Sequence, residues 1–131
     1  SALDQAISHA RTRRFSPAGD LLASSSLVQY RIAEMWAQVE KGRRLVYHAA
    51  QLGDQGDVGA LPVILSAKAE MDEIVVDVTN SAMTLGGGSA YRENSTLARL
   101  MRDARASKVM SPTTDLLRLW TGRVLLDEPV L

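Results

Sequence analysis

An all-α fold, an antiparallel (up-down) four-helix bundle with an additional short helix, follows from three features of the sequence. Apolar residues recur at alternating steps of four and three over two long stretches, from Val28 to Ala49 and from Ile64 to Leu85. Turns rich in Gly, Pro and Asp separate these stretches from three shorter amphipathic ones. The one β-branched run, Ile74-Val75-Val76, sits among Ala, Glu and Met in a helical period, which argues against a strand. The chain is 131 residues long, the size of one domain, and can bury about two thirds of its unfolded surface.

The first helix is expected from Leu3 to about Arg13, with Leu3, Ala6, Ile7 and Ala10 on one face and Asp4 in the first turn. Phe15-Ser16-Pro17-Ala18-Gly19-Asp20 forms a turn, since Pro17 disfavours a helical residue before it. The second helix carries the seam Val28, Ile32, Met35, Val39, Gly42, Val46, Ala49, and Ser24-Ser25-Ser26 offer caps. Trp36, Leu45 and Leu52 widen its apolar face, and the run stops in the polar loop from Leu52 to Asp57. The third helix is expected over about Leu61 to Leu85, with Pro62 in its first turn and Val75, Val76 and Met83 as a second stripe.

Gly86-Gly87-Gly88 then ends that helix as a glycine elbow, because glycine alone enters left-handed backbone without steric penalty. Asn94-Ser95-Thr96 read as the N-cap of a fourth helix over about Ser95 to Ser107, with Leu97, Leu100, Met101 and Ala104 inward. A last helix starts near Ser111 and Pro112, with Ser111 as cap, and carries Leu116, Leu117, Trp120 and Val124.

Composition excludes several function classes. Net charge is zero, so no bulk field draws the chain to nucleic acid or to a membrane surface, and nucleic acid is not expected as a partner. No apolar run is long enough to span a bilayer, and no signal-peptide pattern opens the chain. The chain has no cysteine, which excludes disulfides and thiolate metal sites and fits a reducing compartment; a cytoplasmic location is the expectation. Neither His9 nor His48 has a Glu three residues before it, so no carboxylate-bridged metal centre is expected. The elbow is neither a dinucleotide fingerprint nor a phosphate loop, since no strand precedes it and no Gly-Lys-Ser/Thr follows.

Two charged runs have two readings each. Glu70, Asp72, Glu73 and Asp77 read first as a solvated face and second as a docking edge for a basic partner. Arg99, Arg102, Arg105 and Lys108 read first as a surface stripe paired with Asp103 and neighbouring acids. The second reading is a phosphate clamp or a nucleic-acid contact.

Five motifs in order resemble the acyl-CoA dehydrogenases. Gln29-Tyr30-Arg31-Ile32-Ala33-Glu34-Met35 is similar to that family's Gln-Phe-Lys-Leu-Ala-Asp-Met, and Arg44-Leu45-Val46-Tyr47-His48-Ala49-Ala50 to its Arg-Leu-Leu-Val-Tyr-Arg-Ala-Ala helix. Leu85 to Tyr91 resembles its glycine turn, Arg102-Asp103-Ala104-Arg105 its Arg-Asp-Ala-Arg run, and Thr113 stands at the Thr of its Glu-Gly-Thr. The likeness runs from about Ala2 to Leu126 and implies the C-terminal helical domain of a larger flavoprotein, with the natural protein beginning upstream of Ser1.

The resemblance implies FAD held between domains and across a subunit interface in a homo-oligomer, a dimer or a tetramer, acting on an acyl-CoA-type substrate. It implies backbone contacts from Gly87 and Gly88 and a further contact from Thr113. It also implies an Arg and a Phe from an Arg-x-x-Phe-Gly turn, for which Arg13 and Phe15 stand one residue too close, with Ser16 in place of Gly. Thr84 replaces the family's adenine-side Gln, and Ser111 stands where the family has its catalytic Glu. A serine hydroxyl without a partner is no general base. The catalytic residue is therefore left unassigned, with Asp115 the nearby carboxylate. The resemblance also covers base-less relatives: flavin-dependent monooxygenases, silent subunits and DNA-associated scaffolds of the same fold.

Overall fold

A computed structural model describes Ser1–Leu131 and contains five α-helices and no sheet. They are α1 (Ala2–Thr12), α2 (Ser26–Asp54), α3 (Ala60–Ala90), α4 (Thr96–Val109) and α5 (Thr114–Leu125), with a short 3₁₀ turn at Leu22–Ser24. The all-helical expectation is met, and each helix lies within a few residues of where the apolar period puts it.

The seam of α2 buries its residues one heptad apart: Val28, Met35, Gly42 and Ala49 are all buried. They face α3 in antiparallel order. A Cβ added at Gly42 would lie 2.5 Å from Met71 Sδ, and one at Gly53 would lie 3.5 Å from Ile64 Cδ1. Glycine at position 42 thus lets two long helices approach at the middle of their contact.

The centre of the fold is α3, which packs against each of the other four helices. Its buried residues accordingly lie around much of its circumference, including Ala67, Ala69, Asp72, Ile74, Val78, Thr79 and Ala82. The core joins Leu3 and Ala6 of α1, Met35 of α2, Ile74, Val78 and Ala82 of α3, and Leu97 of α4. Its many alanines keep the helices close, and burial of the larger side chains supplies roughly 1.5–3 kcal/mol each.

Both α4 and α5 run antiparallel to α3, one after the other. Leu97 packs near Gly86, Ser107 lies at Lys68, Thr114 at Asp72 and Arg118 at Glu70. The first residues of α1 sit beside Ile74–Thr79, and the 3₁₀ turn connects its far end to the start of α2. The Arg13–Asp20 loop therefore shares one end of the bundle with the glycine elbow.

Two expectations need correction. The last helix begins two residues later than expected. Thr113, not Ser111, is its N-cap, with Oγ1 accepting the Leu116 N–H at 3.4 Å, and Pro112 precedes the helix. The reason is Thr114, whose hydroxyl is drawn to the buried carboxylate of Asp72 and fixes the first turn there. Second, Asp72 is not on a solvated face but 2 % exposed. Trp36, read as apolar surface beyond the seam of α2, does lie outside the core and is 57 % exposed.

Candidate functional site

The elbow is built by backbone conformation. α3 stays helical to Gly86, and Gly87 then adopts φ 60°, ψ −155°, a region that is essentially glycine-only. One further turn ends at Tyr91, and Ser95 restarts the chain as the α4 cap. Its Oγ accepts the Ala98 N–H at 3.0 Å and donates to the Ala90 carbonyl, which ties the new helix to the end of the old one. The three glycines have different surroundings. A Cβ at Gly86 would meet Ala90 Cβ at 2.5 Å, so this glycine serves internal packing. Around Gly87 and Gly88 nothing lies within 4 Å of such an atom. Their backbone is open to whatever approaches from outside the chain.

Beside the elbow is a polar recess of about 260 Å³ lined by Ser95, Thr96, Arg99 and Arg102, among others. Of the ion pairs expected for the basic stripe, one forms. Arg99, Arg102 and Arg105 are exposed and make no ion pair within the chain, and only Lys108 pairs, with Glu73 at 2.8 Å. The acidic run is the reason: Glu70 and Glu73 face α5 and the end of α4, where they meet Arg118 and Lys108.

Arg13 caps α1 with its N–H on the His9 carbonyl at 2.9 Å, and its side chain makes no hydrogen bond or ion pair. Phe15 is 64 % exposed in the loop that Arg14 closes through the Gly19 carbonyl at 2.8 Å. These two residues and the elbow lie at the same end of the bundle. Thr113 does not join them. It sits on the connection before α5, level with Asp72, about fifteen residues before Gly87 along α3 or roughly 22 Å of helix. One copy of the chain thus offers two separate walls and not one pocket. An apolar cleft of about 620 Å³ lined by Leu3, Val39, Val46, Met71, Val75 and Leu100 with others contains none of the five residues.

The connection before α5 presents Ser111 exposed to solvent, and Asp115 is exposed in the first turn of the helix. Neither accepts or donates a side-chain hydrogen bond within the chain, so no base is assembled around them. Beneath them lies a polar cluster that periodicity could not reveal. Asp72 Oδ2 accepts from Lys68 Nζ and from Thr114 Oγ1, the latter at 3.0 Å. No group of three or more His, Asp or Glu side chains is arranged to hold a metal ion. No helix is long and apolar enough to cross a membrane.

The chain matches the model of the family described as "Acyl-CoA dehydrogenase, C-terminal domain" over residues 1–126. It is similar to cyclohex-1-ene-1-carbonyl-CoA dehydrogenase of Geobacter metallireducens, at 36% identity over 126 residues, 95% of this chain and 32% of that protein. Among solved structures it resembles butyryl-CoA dehydrogenase from Megasphaera elsdenii, with TM-score 0.88 and 30% identity over 95% of this chain and 32% of that one. It also resembles the FAD complex of PigA, with TM-score 0.85 and 26% identity over 95% and 32%. The chain thus spans about a third of the length of the relatives it matches. With the match running through every helix, this chain belongs to the acyl-CoA dehydrogenase family, as its C-terminal helical domain.

Proposed function

We propose that residues 1–131 form one domain of a longer FAD-dependent oxidoreductase acting on acyl thioesters of coenzyme A, and that this domain contributes part of the flavin site and a subunit surface. The observation that carries the reading is the open backbone at Gly87 and Gly88, where a side chain would meet nothing of this chain and a cofactor can approach closely. Gly87 and Gly88 hold the flavin nucleotide by backbone contact. At the same end Arg13 offers an unpaired guanidinium to phosphate and Phe15 an exposed ring to a planar group. Thr113 supplies a contact at the other wall. FAD held there would supply a hydride acceptor for the β-carbon of the acyl group.

Two separated walls on one chain fit a cofactor shared between copies, and the parent is a homo-oligomer on this reading. Trp36 and Tyr47 support it. They stand about three turns apart on one flank of α2, both exposed. Leu45, Leu52, Val75, Val76 and Met83, which also read as surplus apolar surface, are half-buried within the bundle and contribute less. A cytoplasmic location belongs to the same reading and is compatible with a chain free of cysteine.

A second reading, a flavin monooxygenase or a catalytically silent subunit on this scaffold, is favoured by Ser111. A hydroxyl without a basic partner cannot take the α-proton, and a general base is worth about 10²–10⁴-fold. Anaerobic titration of the flavin-loaded full-length protein with a panel of acyl-CoAs separates the two. We expect FAD to copurify, and bleaching by simple acyl-CoAs to be slow and to quicken in Ser111→Glu. Loss of bleaching in Asp115→Asn would place the base there. No bleaching by any acyl-CoA, with oxygen-dependent turnover of reduced flavin, would replace the first reading by the second. Absence of FAD from the full-length protein would sink the dehydrogenase and the monooxygenase and leave the silent subunit.

A further inference from the structure

We propose that Lys68, Asp72 and Thr114 form a positioning clamp that fixes the connection between α4 and α5 and, through it, sets Thr113 against the flavin. The last step rests on the reading of Thr113 as a flavin contact. One carboxylate oxygen, Asp72 Oδ2, accepts from Lys68 Nζ and from the Thr114 hydroxyl. Lys68 Nζ also donates to the Ser107 carbonyl at 3.1 Å. Ser107 is in the last turns of α4, and Thr114 is the first residue of α5. A single polar cluster on α3 therefore grips the chain on both sides of Lys108–Thr113.

The connection has little else to hold its centre. Val109, Met110, Ser111 and Thr113 are exposed, so no apolar burial fixes their path. Arg118 pairs with Glu70 in solvent, where such pairs hold weakly, and the half-buried pair of Lys108 with Glu73 braces the end of α4 but not the exposed residues beyond it. Asp72 is different. At 2 % exposed its carboxylate has been taken out of water, and a buried charge of this kind stabilises little compared with an apolar group of the same size. It does restrict geometry. Its acceptor oxygen is satisfied only when an ammonium and a hydroxyl arrive at fixed positions, so the first residue of α5 cannot slide or rotate relative to α3. Thr113 is the adjoining residue, and its own hydroxyl is already oriented by the cap to Leu116. Lys68, Asp72 and Thr114 thus act through Thr113 and its loop, as positioning residues.

The test uses the full-length flavoprotein with Thr114→Val, which removes the hydroxyl and keeps the branched shape, and Thr114→Ser, which restores the hydroxyl. Two readouts are needed: hydrogen exchange of the amides from Lys108 to Thr113, and FAD dissociation with the visible flavin spectrum. Thr114→Val should speed exchange in that segment and leave the amides of α2 unchanged. It should weaken FAD binding about ten-fold with a shifted flavin absorption band, in line with small misplacements at a bound group. Thr114→Ser should return both. Unchanged exchange in Thr114→Val overturns the clamp. Faster exchange with unaltered FAD affinity and spectrum overturns its action on the flavin. Equal losses in both variants mean that shape and not the hydroxyl matters, and also overturn it. If the unsubstituted protein binds no FAD, it is the flavin reading that fails, and the exchange arm still decides whether the clamp holds the connection.

Discussion

The two halves of α3 do opposite things with their surface. Toward its C-terminal end the helix breaks at Gly87 and leaves backbone bare, and the neighbouring Arg99 and Arg102 make no ion pair. Toward its N-terminal half nearly every charge has a partner inside the chain: Lys68 with Asp72, Lys108 with Glu73, Arg118 with Glu70 and Glu73. Bare backbone is useful only to something that comes from outside. Internal pairing fixes the position of what lies above it. The elbow half is where the proposed function has the flavin received, and the paired half is where the chain holds its own geometry.

The sharpest way to break this contrast is to remove Asp72. In Asp72→Ala the Thr114 hydroxyl loses its buried acceptor and a small void remains, while Lys68, 39 % exposed on its side chain, can turn its ammonium to water. The expected loss is about 2–3 kcal/mol, at the lower edge of what breaking a buried pair costs. Glu70→Ala, which breaks an exposed pair with Arg118, should cost under about 0.5 kcal/mol. Urea denaturation of the two variants measures both. Equal midpoints would mean that the buried cluster is no more consequential than the surface pairs around it.

This half of the molecule was the less legible in the sequence. Periodicity reports which residues are apolar, and it located all five helices and most of the core: Val28, Met35, Ala67, Ile74, Val78, Leu97, Ala104 and Leu117 are buried as their spacing requires. It is silent on a buried carboxylate. Asp72 sits among Glu70, Glu73 and Asp77 and looked like one of four solvated acids, because its partner Thr114 lies 42 residues away in sequence. The same ignorance of Asp72 misplaced the start of α5, for Ser111-Pro112 satisfies local capping rules as well as Thr113 does. The elbow half was readable because its signal is local. Three glycines in a row need no distant residue to explain a helix stop. What the sequence could not tell is that they differ, Gly86 packed against Ala90 and Gly88 against nothing.

That difference gives the next test, intermediate in size. Gly87→Ala forces an alanine into φ 60°, ψ −155° and should cost about 1–3 kcal/mol, whatever space surrounds it. Gly88→Ala has room for its methyl group and should stay within about 0.5 kcal/mol of the unsubstituted bundle. In the full-length protein the order should differ if the proposed flavin contact holds, since a methyl at position 88 would then stand in the approach path of the nucleotide. Gly88→Ala is then expected to weaken FAD binding with the thermal midpoint of the bundle unmoved. A loss of bundle stability equal to that of Gly87→Ala would show that position 88 serves the fold, and the elbow would no longer differ in kind from the rest of α3.

The smallest effect concerns Tyr30, near the start of α2. Hydrogen bonding to Glu34 raises its phenol above the ordinary value of 10.0, and the negative charge of Glu34 adds to this. The raised value favours the protonated, folded form. Any stability it contributes is present below pH 10.0 and is lost as pH rises through the higher folded value. Both residues are exposed, so water competes for both partners and the contribution to folding should be too small to detect. Glu34→Ala should therefore move one of the three tyrosines toward 10.0 in an ultraviolet absorbance titration, while the urea midpoint at pH 7 stays put. Asp72→Ala should do the reverse in kind, a large change in midpoint from a carboxylate that is itself withdrawn from solvent. A midpoint that fell in Glu34→Ala as far as in Asp72→Ala would mean that burial is not what separates the two halves, and that exposed contacts on this bundle hold the fold as firmly as the cluster beneath α5.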